Sequence, residues 1–250
     1  KKGLHTMKET LVKLGDKTYR AYFLDTVVVG TGAAGYNAAC RLRQLGRDVA
    51  LGTEGGRCGT SRNTGSDKQT YYKLTLAGGM PDSVRGMAET LFECGSMHGD
   101  IALCEAAGSA KAFFKLVSLG VPFPANEMGE YVGYKTDHDP FTRASSAGPY
   151  TSKAMTECLE KQAAGFGIPL LEGYQAIRLD VSDNICRGVF ALDLSDPKNP
   201  VYFPCEAVVA ATGGPAIIYE NTVYPLGHTG YSSLLLEAGV TFANCAEWQY

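Results

Sequence analysis

The sequence predicts an α/β fold, a parallel sheet flanked by helices with a small antiparallel β insertion. Three observations predict it. A short apolar strand runs through three glycines into a helical stretch and then a second strand, all between Asp25 and Glu54. Helix start and stop signals bracket residues 81–95, 100–120 and 151–167. Three β-rich runs follow one another at about 168–208, and the last continues into the apolar strand "AVVAATGG". Alternating β and α units followed by inserted strands are the signature of a layered sheet with crossover helices.

The bulk composition sets the limits. A chain of 250 residues with 45% hydrophobic residues can bury one large core or two modest ones. A net charge of −3 argues against nucleic acid as the main partner. No apolar run reaches the roughly 18 residues that span a bilayer, so no transmembrane segment is expected. The opening "KKGLHTMKET" lacks the apolar centre of a signal peptide. It also lacks a Met at position 1, which points to further residues upstream. The cysteines are scattered without a CxxC pair, so they read as small hydrophobes in a reducing, cytoplasmic compartment. None pairs with a histidine at ligand spacing, and no metal is expected.

Each element follows in order. Residues 1–22 read as an amphipathic lead-in to a domain covering 23–250. Thr26–Val29 is a buried strand, and Ala34–Leu45 a helix closed by Gly46, the residue best suited to a left-handed helix end. "RDVALGTE" is the second strand of a βαβ unit. Residues 55–79 are dense in Gly, Ser, Thr and Asn and read as loop. "PDSVRGMAETLFECG", "GDIALCEAAGSAKAFFKLVSLG" and "TSKAMTECLEKQAAGFG" are helices, with Thr151 or Ser152 capping the last. The β runs are split by "DN" and "DPKNP" turns. "TGYSSLLLEAGV" closes the series as a helix ending at Gly239.

Gly30, Gly32 and Gly35 form G-x-G-x-x-G between the first strand and the first helix. One glycine permits the tight turn, the next lets backbone approach a pyrophosphate, and the third lets helix pack on strand. The helix N-terminus, at Ala33 and Ala34, offers unpaired N–H groups to phosphate. Glu54 ends the second strand 19 residues after Gly35, where an acid can accept hydrogen bonds from ribose hydroxyls. This is a Rossmann-like dinucleotide site. The loop of small residues straight after Glu54, and the second close approach at Gly213 and Gly214, suit FAD better than a nicotinamide dinucleotide.

These residues carry a resemblance. With "LVSLGVPF", "HDPFTR", "TSKAMTECLEKQA", "ATGGPAIIYENTVYP", "HTGYSSLLLEAGV" and "AEWQY", the chain resembles the flavoprotein subunits of succinate dehydrogenase and fumarate reductase, L-aspartate oxidase and the soluble fumarate or urocanate reductases. The resemblance implies a glutathione-reductase-like two-dinucleotide-binding fold that lacks its C-terminal capping portion. That portion is expected beyond Tyr250 or on another chain, and with it the proton donor. Gly30, Gly32, Gly35 and Glu54 would hold the ADP half of FAD, with Gly55 beside the acid. Thr60, Ser61 and Thr64 would run along the pyrophosphate and flavin ring. Ala176 would lie near the adenine, and Thr212, Gly213, Gly214, Thr229 and Gly230 near the flavin. Glu247 matches an acid near the substrate and proton path.

The departures are specific. The flavin-linking His of the membrane-complex members has no counterpart in "GTSRNTGSDKQ", which implies non-covalent FAD. The family's T-G-D-G reads Thr229-Gly230-Tyr231-Ser232, without the Asp. His138 and Arg143 stand where relatives carry a His and an Arg, and read equally as substrate groups or as a solvated loop pair. His228 and His98 read as surface or helix-end histidines, and Cys58 as a lone thiol. The reaction implied is reduction of a C=C bond next to a carboxylate, by hydride from flavin N5, or its reverse. An amino-acid oxidase and an electron-transfer subunit without its own substrate are the alternatives. The expected partners are a small unsaturated carboxylate, an electron donor or acceptor, and the remaining C-terminal portion.

Overall fold

In the computed structural model of the chain, residues 7–93, 95, 97–136, 139–214, 220, 221, 224, 228 and 230–245 are described. The chain divides into two compact units, one formed by 1–63 with 159–241 and the other by 64–158 with the stretch from Phe242.

The first unit is built on a sheet whose centre is apolar and β-branched. Strands β3 (Leu24–Val29) and β4 (Val49–Thr53) pair in parallel, Thr26 with Val49 through Val29 with Gly52. Strand β7 (Leu170–Glu172) adds to β4 in parallel. Helix α1 (Ala33–Gln44) crosses between β3 and β4 and packs on both. It stops at Leu45, and Gly46 takes φ +79°, the left-handed exit that the sequence predicted.

The residues read as a lead-in do more than precede the domain. β1 (Thr10–Leu14) and β2 (Lys17–Ala21) form a hairpin, and β2 pairs in parallel with β10 (Asp196–Ala210). The three successive β runs are β8 (Tyr174–Ser182), β9 (Ile185–Asp193) and β10, paired antiparallel in sequence order. Their "DN" turn has both central residues at positive φ, Asp183 at 52° and Asn184 at 59°. That is the twist a two-residue hairpin requires.

β10 serves two sheets. Its first part pairs with β9 as far as Pro204 opposite Gly188, and from Cys205 onward it pairs in parallel with β3. Pro has no N–H to give a ladder, and here it stands where the partner changes. The core of this unit lies where the two sheets meet, around Val27, Ala50, Leu171, Tyr174, Val189 and Phe203. Helix α6 (Ser232–Glu237) closes the run. The polar loop after Glu54 contains a short helix, α2 (Thr60–Asn63), which composition alone did not reveal.

In the second unit, α3 (Val84–Glu93) and α4 (Gly99–Ser118) bury Met87, Ala88, Ala102 and Ala106 against each other. Phe113 sits among Tyr71, Phe123 and Tyr131, with ring centroids 4.6–5.6 Å away. A two-residue ladder joins β5 (Tyr71–Tyr72) to β6 (Ala144–Ser145). Helix α5 (Thr151–Gly165) contributes its first residues here and its later ones to the first unit. Thr151 Oγ1 accepts from the Ala147 N–H at 2.9 Å and donates to Gly148 O at 2.7 Å.

Candidate functional site

Strands β3, β4 and β10 end side by side. The Gly30 N–H donates to Gly52 O at 2.9 Å, and the Ala211 N–H to Val29 O at 2.8 Å. The carboxyl ends of parallel strands are where open α/β sheets take their ligands. Gly30 turns the chain at φ +113°, and a Cβ there would lie 2.2 Å from Ala211 O. A Cβ on Gly35 would lie 2.0 Å from Gly30 O. Both positions need glycine for backbone packing.

Gly32 is different. It has an ordinary φ of −79° as N-cap of α1, with no side chain capping the helix. A Cβ there would meet Ser61 Oγ at 3.2 Å and no backbone atom. What glycine leaves at this position is open space in front of a helix N-terminus, and that space with those N–H donors fits a pyrophosphate. Ala33 directs its N–H to Ser61 Oγ at 3.3 Å, and Ala34 is exposed in the first turn.

The loop after β4 is tied down at several points. Thr31 Oγ1 donates to Thr53 Oγ1 at 3.2 Å, and Thr53 Oγ1 in turn donates to Gly55 O at 3.1 Å. The Gly56 N–H donates to Glu172 Oε1 at 2.8 Å. Arg62 on α2 pairs with Glu160 on α5 at 2.5 Å. Gly59 lies beside the glycine turn, where a Cβ would make ordinary contact with Gly32 N at 3.4 Å. Thr60 and Ser61 are thereby fixed beside the glycine turn. Thr31, Thr53, Glu160 and Glu172 carry this arrangement, and nothing in their spacing marked them in the sequence.

Glu54 is exposed just past β4. Its Oε1 accepts from the Tyr231 hydroxyl and from Gln175 Nε2, the latter at 3.3 Å. Ala176 follows Gln175 in β8 and is buried, so the two sequence-assigned nucleotide residues come together. At the end of β10, Thr212 Oγ1 donates to Gly230 O at 2.7 Å, and Gly213 takes φ +74°.

His228 belongs to this group. The Gly214 N–H donates to its Nε2 at 3.1 Å, and its Nδ1 meets the Thr60 hydroxyl. A backbone N–H can only donate, so Nε2 holds a lone pair and the neutral ring carries its proton on Nδ1. Burial lowers the pKa of the ring. The ring stacks on Tyr224 with centroids 4.8 Å apart. The surface or helix-end setting expected for His228 is replaced by a link between the loop bearing Thr60 and the segment that follows β10. Its place directly before Thr229-Gly230 was the available signal.

The remaining assignments divide. Thr64 belongs to the second unit, as does Arg143. Arg143 is 0% exposed and bound to Asp82, so it is neither part of a solvated loop pair nor open to a ligand within its unit. His138, Thr229 and Glu247 lie outside the described residues.

A family model described as FAD binding domain matches residues 25–250. The chain belongs to that family of FAD-binding flavoproteins. It is 27% identical over 228 residues to the L-aspartate oxidase of Agrobacterium fabrum, covering 88% of this chain and 41% of the relative. It is 28% identical over 210 residues to the succinate dehydrogenase flavoprotein subunit of Rickettsia conorii, covering 76% of this chain and 33% of the relative. The chain thus spans about a third to two-fifths of the length of these curated relatives. Its fold matches the solved quinol fumarate reductase of E. coli with a TM-score of 0.75 at 18% identity, over 87% of this chain and 37% of that one. The expected mixed α/β, FAD-binding fold is the one found, and FAD is the cofactor the family binds. Among the described residues no helix is long and apolar enough to cross a membrane.

Proposed function

We propose that the chain is the FAD-holding part of an oxidoreductase that reduces a C=C bond conjugated to a carboxylate, or runs the reverse reaction. The carrying observation is the open space at Gly32, set between the N-terminus of α1 and the tied-down loop bearing Ser61. FAD held there supplies the hydride chemistry. The residues of this chain bind and orient it: Gly30, Gly32, Gly35 and the first turn of α1 take the pyrophosphate, and Glu54 the ribose. Thr60, Ser61, Gly213 and Gly214 line the flavin side. Similarity to succinate dehydrogenase subunits and the fold of a fumarate reductase support the enoate reading. The proton donor and substrate groups belong to the part of the relatives' length that this chain does not span, or to a second chain. Arg143 supports this division, because its guanidinium is already engaged by Asp82, Tyr72 and Thr90.

The similarity to L-aspartate oxidase supports a second reading, oxidation of an amino acid at its C–N bond. One experiment separates the two. The full-length protein that contains this chain is purified and assayed anaerobically for reduced-viologen oxidation with a panel of enoates. It is then assayed aerobically for peroxide with a panel of amino acids. Viologen turnover with enoates is the expected result. Peroxide formation with an amino acid, and no viologen turnover, reverses the assignment. Cys40 and Cys205, both buried, and the absence of a CxxC pair in the sequence suit a reducing, cytoplasmic setting.

A further inference from the structure

The carboxylate assigned to the ribose is itself held in place. Tyr231 and Gln175 both donate to Glu54, and both reach the same oxygen, Oε1. Among the described residues no hydrogen bond is made to Oε2. The two donors arrive from different elements, Gln175 from β8 and Tyr231 from the residue that precedes α6. Two donors on one oxygen fix the carboxylate's rotation and leave the other oxygen's lone pairs for a ligand. A side chain already fixed loses less freedom when the ligand binds.

The backbone of Tyr231 supports a specific role. It sits at φ 50° and ψ 27°, the left-handed region that a bulky side chain rarely enters. Such a conformation persists only where the surroundings impose it, and these positions gather at functional sites. Here the ring packs against the core cluster that contains Tyr174 and Ala176, and the hydroxyl ends on Glu54. Helix capping does not account for it, since Tyr231 makes no side-chain cap hydrogen bond.

We propose that Tyr231, assisted by Gln175, is a positioning residue for nucleotide binding. It pins Oε1 of Glu54 so that Oε2 faces the free 2′- and 3′-hydroxyls of an adenosine diphosphate moiety. The proposal rests on the reading of Glu54 as the ribose acid.

The test uses the full chain freed of cofactor and titrated with FAD and, separately, with ADP. Four proteins are compared at pH 7.5: wild type, Tyr231→Phe, Glu54→Gln and the double variant. Tyr231→Phe keeps the packed ring and removes only the hydroxyl. It is expected to weaken FAD and ADP alike, by about five- to tenfold, the size of one ordinary net hydrogen bond. In the double variant the Tyr231→Phe effect should shrink to within about twofold of Glu54→Gln alone, because the hydroxyl acts through Glu54. Full additivity overturns the proposal, since a merely structural tyrosine behaves that way. Equal binding by Tyr231→Phe also overturns it, and tighter binding overturns it by making the hydroxyl a competitor of the ribose. Unchanged binding by Glu54→Gln alone places the failure in the ribose assignment, and the proposal falls with it.

Discussion

Arg143 grips Asp82 with two parallel bonds, Nε to Oδ2 at 2.9 Å and Nη2 to Oδ1 at 2.7 Å, both side chains almost wholly removed from solvent. Its remaining nitrogen, Nη1, donates to the Tyr72 hydroxyl at 3.1 Å and Thr90 Oγ1 at 2.9 Å. Its guanidinium also lies 4.4 Å from the centroid of the Phe141 ring. One side chain thereby joins α3, β5 and the strand edge at β6. Removing a partner from a buried ion pair costs about 3–5 kcal/mol. Arg143→Met should lower the urea unfolding free energy by that order.

The pair also has a pH signature. Burial works against the charged form of Asp82, but the bonds from Arg143 and from the Thr75 and Ser83 N–H groups outweigh it and hold the carboxyl at about 2. A depressed carboxyl contributes its stability above the unfolded value of about 3.9, and loses it as pH falls through about 2. The gap between wild type and Arg143→Met should therefore narrow between pH 4 and pH 2. A constant gap across that window contradicts the assignment.

Lys73 is the opposite case. It is 0% exposed, with Nζ 3.5 Å from Leu74 O and 4.9 Å from the centroid of the Phe113 ring. Burial lowers its pKa. Lys73→Met keeps the shape and removes the desolvated amine, so it should stabilise the protein at pH 7 by about 1 kcal/mol. A lysine with a depressed folded pKa gains stability as pH rises toward the unfolded value of about 10.4. The advantage of the variant should therefore fade in thermal melts taken from pH 7 to pH 10. Lower melting temperatures for the variant throughout would show that the cation on Phe113 outweighs its burial.

Gly32→Val separates binding from folding. The position has an ordinary φ and faces Ser61 Oγ rather than backbone, so the fold should persist while the pyrophosphate is excluded. Gly35→Ala must instead displace Gly30 O and should unfold the turn. Flavin content after purification, read beside far-ultraviolet circular dichroism, distinguishes them. Wild-type flavin content in Gly32→Val contradicts the site.

His228 should make binding sensitive to acid. Its lowered pKa, caused by burial, means the neutral ring is favoured in the fold. Its contribution is complete above the unfolded value of about 6.5 and is lost as pH falls through the lower folded value. A proton on Nε2 would face the Gly214 N–H. In the neighbouring loop Arg62 is paired with Glu160 and Glu54 with Tyr231 and Gln175, while Arg57 is exposed. FAD affinity measured by fluorescence should weaken about fivefold from pH 7.5 to pH 5. His228→Asn, which can still donate and accept, should flatten that profile. Parallel profiles in the two proteins exclude His228 as the titrating group.

The flavin should be released by acid. Residues 55–79 contain no histidine, and both ring nitrogens of His228 are engaged. Precipitation with trichloroacetic acid should leave the yellow colour in the supernatant. A flavin peptide in the pellet contradicts this.

The parts of this molecule legible in the sequence are those set by local rules. The βαβ unit from Leu24 to Thr53, the Asp183–Asn184 turn and the Gly46 helix end each follow from a few adjacent residues and their dihedral preferences. The loop after Glu54 was recognisable by composition, but the bonds that hold it were not. They come from Glu172 and Glu160, which meet the loop only after the chain has folded, together with the local bond from the Gly55 N–H to Thr53 Oγ1. Tyr231 on Glu54 and His228 on Thr60 are contacts across most of the chain, so no window of sequence contains them. Arg143 was picked out because it stands where relatives carry an arginine, and its burial against Asp82 is a tertiary fact. The hairpin β1–β2 was missed because its strands are short, charged and only half buried, and because its sheet neighbour β10 lies far along the chain.

The strand β10 also sets the order in which this protein can be made. On the edge of β3 that faces away from β4, Leu24 pairs with Cys205 and Val29 with Ala210. While the chain emerges from the ribosome, β3 can dock on β4 and α1, yet its other edge stays open until β10 follows. That edge belongs to the apolar run Val27–Val28–Val29, a surface that invites pairing with the wrong strand. Completion of the sheet is therefore a late, long-range event in synthesis. The nascent chain is most exposed to misassembly before residue 210 appears.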